Sequence, residues 1–191
     1  MLAATPETQT APSQKQNEPM KRLLEAEEIR QRVQELGRVL SHDYRDRPLT
    51  VVGVLTGSVL FMADLVREIS VPHRIGVVHA SSYRGKTTVP GELHVSMDLV
   101  PDIRDRDVLI IDDIFDTGRT IEHLMRVFES YRPRSIRTAV LLVKEGRSTV
   151  EVVPDLFCFR IPDVFVVGYG LDYNDDYRHL PFIGVLEDAE L

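Results

Sequence analysis

The run Val108-Leu109-Ile110-Ile111-Asp112-Asp113-Ile114-Phe115-Asp116-Thr117-Gly118-Arg119-Thr120-Ile121 decides the fold. Val108 to Ile111 show no alternation with polar residues, which is the pattern of a strand buried on both faces of a parallel sheet. The acids that follow mark its C-terminal end. Beyond the Thr117-Gly118-Arg119-Thr120 turn, Ile121, Leu124, Met125 and Phe128 recur at helical spacing, so the unit reads strand, tight loop, helix. Residues 51–55 begin a second such unit: a buried strand, the small-residue turn Thr56-Gly57-Ser58, then a helix carrying Leu60, Phe61, Leu65, Val66 and Ile69. In a doubly wound sheet, strand ends of this kind line one crevice. The predicted class is α/β, a mostly parallel twisted sheet with flanking helices.

A strand-loop-helix unit aims free backbone N–H groups and a positive helix end at one spot, and a phosphate is its natural occupant. Gly118 permits close approach of the backbone, and Thr117 and Thr120 can add hydroxyl donors. Phosphate would repel the acids, which suits them to sugar hydroxyls, a metal ion or a protonated base. Phosphate cup and carboxylates together describe a ribose phosphate site. A bland reading also exists, a βα turn in which Asp and Thr serve only as caps.

Further out, residues 1–20 are rich in Thr, Pro, Gln, Ala and Ser and are expected to be a disordered tail, with one domain over 21–191. Ile29, Val33, Leu36, Leu40 and Tyr44 keep one face apolar across residues 25–44, an amphipathic helix packed on the sheet. Residues 75–78 and 93–97 read as strands joined by a polar stretch that is either a hairpin tip or a lid. Another buried strand, 136–143, ends at Lys144. The remaining apolar runs are 152–159 and the segment Val164-Phe165-Val166-Val167-Gly168-Tyr169-Gly170-Leu171-Asp172-Tyr173-Asn174.

The chain has 191 residues, 43% of them hydrophobic, enough for one domain with a sizeable core. A formal net charge of −7 argues against a general nucleic-acid surface. The single cysteine, Cys158, lies in an apolar run and reads as a buried reduced thiol. No apolar run reaches membrane-spanning length and the N-terminus lacks a signal-peptide core, so the expectation is a soluble cytoplasmic protein without membrane contact. The six histidines show no ligand spacing, and any metal should be oxygen-bound Mg2+.

The apolar run, two acids, two apolar residues and Asp116-Thr117-Gly118-Arg119-Thr120 resemble the ribose-phosphate signature of type I phosphoribosyltransferases. The segment from Phe165 to Asn174, with Tyr177-Arg178 and Leu180-Pro181 after it, is similar to the hypoxanthine-guanine members. The likeness spans about residues 25–187. It implies the type I phosphoribosyltransferase fold with a mobile lid and a small C-terminal hood, and purine salvage from phosphoribosyl pyrophosphate and a 6-oxopurine. It also implies Mg2+ and a homodimer or homotetramer.

Carried across by position, Asp112, Asp113, Thr117, Gly118, Arg119 and Thr120 would bind the ribose 5-phosphate. Leu55, Thr56, Gly57 and Arg178 would bind pyrophosphate, the Leu55–Thr56 peptide being usually cis in relatives. Lys144 would donate to the purine 6-oxo group, Phe165 would stack on the ring, and the Val166 backbone would read its edge. Asp172, also placed on the purine side, would hold Mg2+ together with Asp112 and Asp113. Ser82-Tyr83 would belong to the lid, and Asp116 would be the general acid/base.

Two positions depart from the common pattern. Many relatives carry Lys or Arg where this chain has Thr56, and Glu where it has Asp112. Neighbouring strand residues face opposite ways, so Asp112 and Asp113 share a ligand only if the strand has ended or water intervenes. The rival readings are a xanthine-preferring transferase and an RNA-binding regulator of the pyrimidine-operon type. The regulator typically has an aromatic at the place of Asp116 and lacks the Val167-Gly168-Tyr169-Gly170-Leu171-Asp172-Tyr173 segment.

Overall fold

The computed structural model describes residues 20–82 and 93–186. Among these, β5 (Asp107–Phe115) is the central strand of a six-stranded sheet ordered β4-β3-β2-β5-β6-β7. Its neighbours are β2 (Leu49–Leu55) and β6 (Ser135–Lys144), both parallel to it. β3 (His73–Ser82) and β7 (Leu156–Ile161) continue the parallel set, and β4 (Leu93–Ser96) closes one edge antiparallel to β3.

Both faces of the central strand are covered, as its unbroken apolar run requires. Leu109 and Ile111 pack with α1 (Ala26–Asp43) and α2 (Val59–Glu68) on one side. Val108 and Ile110 pack with Ile121, Leu124 and Phe128 of α3 (Arg119–Glu129) on the other. The helix predicted over 25–44 begins at Ala26 behind a capping box, in which the Glu25 N–H donates to Glu28 at 2.8 Å.

From β2 the chain winds one way to β3, and from β5 the other way to β6 and β7. The order therefore reverses between β2 and β5, where a crevice opens beyond the strand ends. Over that crevice sits a second, antiparallel sheet ordered β1-β9-β8, made of β1 (Lys21–Leu24), β8 (Val166–Val167) and β9 (Ile183–Val185). Val166 and Ile183 join the core shared with α1 and α2, which fastens this hood to the sheet. Sequence reading supplied the hood through its C-terminal segment but assigned β1 no role.

β3 is longer than the predicted 75–78. Ser82 is its last residue, paired with Leu93, rather than part of the intervening loop. The proposed lid, Tyr83 included, lies outside the described residues. Cys158 is buried, and burial pushes its thiol up to about 12, so it stays protonated.

Candidate active site

The crevice is built by unequal pairing of β5. Its register with β2 ends at Gly53↔Ile111, whereas β6 stays alongside as far as Phe115↔Val143. Asp112 to Phe115 therefore overhang β2 on one side while remaining in the strand. The acids do not mark the strand's end, as expected from sequence; they mark the end of its pairing with β2. The resulting cavity, about 420 Å³, is lined by Thr56 and Gly57, by Asp112, Asp113, Asp116, Thr117, Gly118 and Thr120, and by Asp172 and Arg178.

Strand parity carries on through the acids. Asp113 continues the Leu109–Ile111 face and lies against the β2–α2 turn, where a Cβ at Gly57 would fall on its carboxylate. Asp112, on the other parity, is 7% exposed. Each caps backbone: the Asp113 N–H donates to Asp112 Oδ1 at 3.0 Å, and the Ile114 N–H to Asp113 Oδ1 at 2.7 Å. Burial, and for Asp112 the neighbouring Asp113 charge, push both carboxyls above the ordinary carboxylate range. The nearest relief is cationic: Arg178 pulls Asp113 back down.

Gly118 caps α3 at φ 81, a left-handed conformation natural to glycine, and no side chain bonds to the first helical turn. A Cβ there would meet Phe115 and Val150. The loop after β6 braces this turn. The Thr149 N–H donates to the Thr117 carbonyl at 3.0 Å, and Arg147 Nε donates to Asp116 Oδ1 at 2.9 Å. Arg119 is exposed and does not line the cavity.

Across the crevice, the β2–α2 turn opens with a cis peptide between Leu55 and Thr56. Gly168, Tyr169 and Gly170 run consecutively at positive φ (98°, 46° and 101°), folding the hood segment back so that Gly170 lies against the Gly57 carbonyl. Arg178 is anchored by Nη1 to the Gly170 carbonyl at 2.8 Å, and by Nη2 to Asp172 at 2.9 Å and Asp175 at 3.1 Å. Asp172, expected as a metal ligand, already holds a guanidinium. Where cationic neighbours are common at the Thr56 position, this chain presents an exposed hydroxyl, and Arg178 is the cation lining the cavity.

Lys144, Phe165 and Val166 stand outside the cavity lining, beyond the Asp116 rim. Phe165 is 37% exposed and held edge-on by Tyr173, ring centres 5.6 Å apart at 84°. A flat apolar face with one side open is suited to stacking a ring. Its carbonyl accepts from the Leu186 N–H at 3.0 Å, and Val166 pairs with Val185, so both are fixed by the hood sheet.

A model of the phosphoribosyl transferase domain matches residues 19–174. The chain belongs to the phosphoribosyl transferase domain family. Among its relatives are hypoxanthine-guanine phosphoribosyltransferases of Staphylococcus epidermidis, 43% identical over 86% of this chain and 92% of the relative, and of Dictyostelium discoideum, 45% identical over 84% and 92%. A crystal structure of a hypoxanthine phosphoribosyltransferase from Staphylococcus aureus superposes with TM-score 0.81, at 41% identity, covering 87% of this chain and 91% of that one.

Within this family fold, two charged residues at the site went unassigned from sequence: Arg147 on Asp116, and Asp163, which faces both Arg147 and Lys144. Neither carries a local signal. A loop arginine and an aspartate after a proline look like ordinary solvated charges until the β6–β7 register brings them together.

Proposed function

We propose that the protein is a hypoxanthine-guanine phosphoribosyltransferase of purine salvage. It transfers the 5-phosphoribosyl group of phosphoribosyl pyrophosphate to a 6-oxopurine, giving the nucleoside monophosphate and pyrophosphate. The observation that carries this reading is one cavity at the switch point of a phosphoribosyl transferase fold. Along a single wall it joins an uncapped helix start, a buried acid pair and an anchored arginine.

In this reading the α3 N-terminus with Thr117, Gly118, Arg119 and Thr120 receives the 5-phosphate, whose charge matches the free donors and helix dipole. Leu55, Thr56, Gly57 and Arg178 receive pyrophosphate. Phe165 stacks the purine, Lys144 donates to its 6-oxo oxygen, and the Val166 backbone meets its edge. Purine N9 then bonds to ribose C1 as the C1–oxygen bond to pyrophosphate breaks, through an oxocarbenium-like transition state that rewards positioning and charge stabilisation. Asp116 takes the proton that the ring loses at N7.

The donor set fits Mg2+ that arrives with substrate. Among the described residues no three His, Cys, Asp or Glu side chains converge as a cage, whereas Asp112, Asp113 and Asp172 offer carboxylate oxygens of the kind Mg2+ takes beside phosphate oxygens. Held by those residues, the ion would neutralise charge on the leaving pyrophosphate.

The same proposal has residues 21–191 acting as one cytoplasmic domain, with 1–20 outside it and a lid including Ser82-Tyr83 closing over the site. Assembly is as a homodimer or homotetramer; exposed Ile75 and Leu99 beside the β4 edge offer apolar contact area. Incubation with phosphoribosyl pyrophosphate, Mg2+ and hypoxanthine, guanine or xanthine in turn tests it. Monophosphate from hypoxanthine or guanine supports it, a preference for xanthine corrects the specificity, and no product with any base refutes it.

A further inference from the structure

The register Lys144↔Ile161 between β6 and β7 sets the chain after each strand side by side. Past Ile161 a tight turn, closed by the Val164 N–H on the Pro162 carbonyl at 2.9 Å, projects Asp163 toward the end of β6. Its Oδ1 lies 3.5 Å from Lys144 Nζ and 3.6 Å from Arg147 Nε. That Arg147 nitrogen in turn donates to Asp116 at 2.9 Å. Four charges of alternating sign thus span the rim of the site, Lys144, Asp163, Arg147 and Asp116, with the purine-directed cation at one end and the proton-handling carboxylate at the other.

The Lys144 side chain is only 13% exposed, and Asp163 is its carboxylate partner among the described residues. A lysine so enclosed needs a counter-charge to remain an ammonium in one place. With Asp163 neutral, two cations would lose the oxygen they share, and Lys144 would be drawn toward Asp116, the nearest anion along the chain of charges. Asp163 does not line the cavity and has no place in the ribose or pyrophosphate contacts.

We propose that Asp163 is a positioning residue for purine recognition, holding Lys144 toward the 6-oxo oxygen and Arg147 against Asp116. The inference rests on the assignment of Lys144 to the purine. Selection for a 6-oxo group then depends on a residue that need not touch the base.

Asp163→Asn keeps the shape and removes the charge. It should raise KM for hypoxanthine about fivefold or more, the scale of one part-exposed ion pair, and leave KM for phosphoribosyl pyrophosphate within about twofold. As competitors against hypoxanthine, unsubstituted purine should bind wild type and variant alike, while 6-oxopurines weaken on the variant, because only they present an acceptor to Lys144. Asp163→Glu should restore part of the difference. Equal loss for both competitors, parallel rises in both KM values, or an unchanged KM for hypoxanthine would each overturn the proposal. Wild-type enzyme without turnover on any base would instead remove the parent reading, which keeps the two failures apart.

Discussion

Gly57→Ala tests the crevice at its tightest point. The added Cβ would land on the Asp113 carboxylate, and the turn cannot simply retreat, because Gly170 already sits against the Gly57 carbonyl from the hood side. Relief comes from swinging Asp113 away, which breaks the 2.7 Å hydrogen bond it accepts from the Ile114 N–H. Losing a bond to a charged acceptor costs about 1.5–3 kcal/mol. For a chain of this size each kcal/mol lowers Tm by roughly 2–4 °C, so a fall of about 3–12 °C is expected by scanning calorimetry. The same swing disturbs the acids and the pyrophosphate turn together, so KM for phosphoribosyl pyrophosphate should rise by about tenfold, the equivalent of 1.4 kcal/mol, with KM for the purine less affected. A variant with wild-type Tm and wild-type KM would show that the turn and the acid pair are not in contact, and would refute the geometry on which the pyrophosphate assignment stands.

Three further substitutions separate chemistry from scaffold. Asp116→Asn should fold and bind the sugar diphosphate normally while lowering kcat by about 10²-fold, the scale of a lost general base, and unchanged turnover would remove that role. Asp112→Asn should raise Tm at neutral pH. The buried Asp112 carboxyl is raised above its ordinary range, so the stability it contributes is fully present in acid and is lost as pH rises through the folded midpoint. The gain in Tm should therefore shrink toward low pH, and a Tm below wild type at pH 7 would contradict the assignment. Asp107→Asn should do the reverse. Burial would raise this carboxyl, but hydrogen bonds from Arg47 and Ser135 outweigh it and hold it below its ordinary range, so its contribution is present above that range and lost as pH falls through the folded midpoint. Urea titration at neutral pH should show a loss of about 2–3 kcal/mol, the lower end for a broken buried pair because Arg47 is itself part-exposed, and no loss would mean the pair is not intact in solution.

Some of this molecule is legible in one dimension. The central strand could be read because burial on both faces removes every polar residue from Val108 to Ile111, and α1 because five apolar residues hold its inner face at helical period. The phosphate loop was legible because its requirements are local: a glycine at positive φ, hydroxyls on either side and a helix behind. β1 was not legible, since Lys21 to Leu24 present no alternation, and their only sheet partner is β9 at the far end of the chain. The long-range pairing that makes four residues a strand leaves no trace in the four residues themselves.

The charges around the purine side fail for a different reason, and it bears on how the site works. Arg147 and Asp116 are 31 residues apart, and each sits in a loop where charge is the default. Their meeting is set by the β5–β6 and β6–β7 registers, in which Phe115↔Val143 and Lys144↔Ile161 bring three loops to the same end of the sheet. One slipped register would turn each strand's side chains over and scatter the four charges, so the apolar strands that could be read fix the polar contacts that could not. Phosphate capture therefore resides in one short loop and can be recognised wherever that loop occurs. Base selection depends on the relative placement of three loops, which can be retuned by exchanging single charges in them while the phosphate loop stays unchanged.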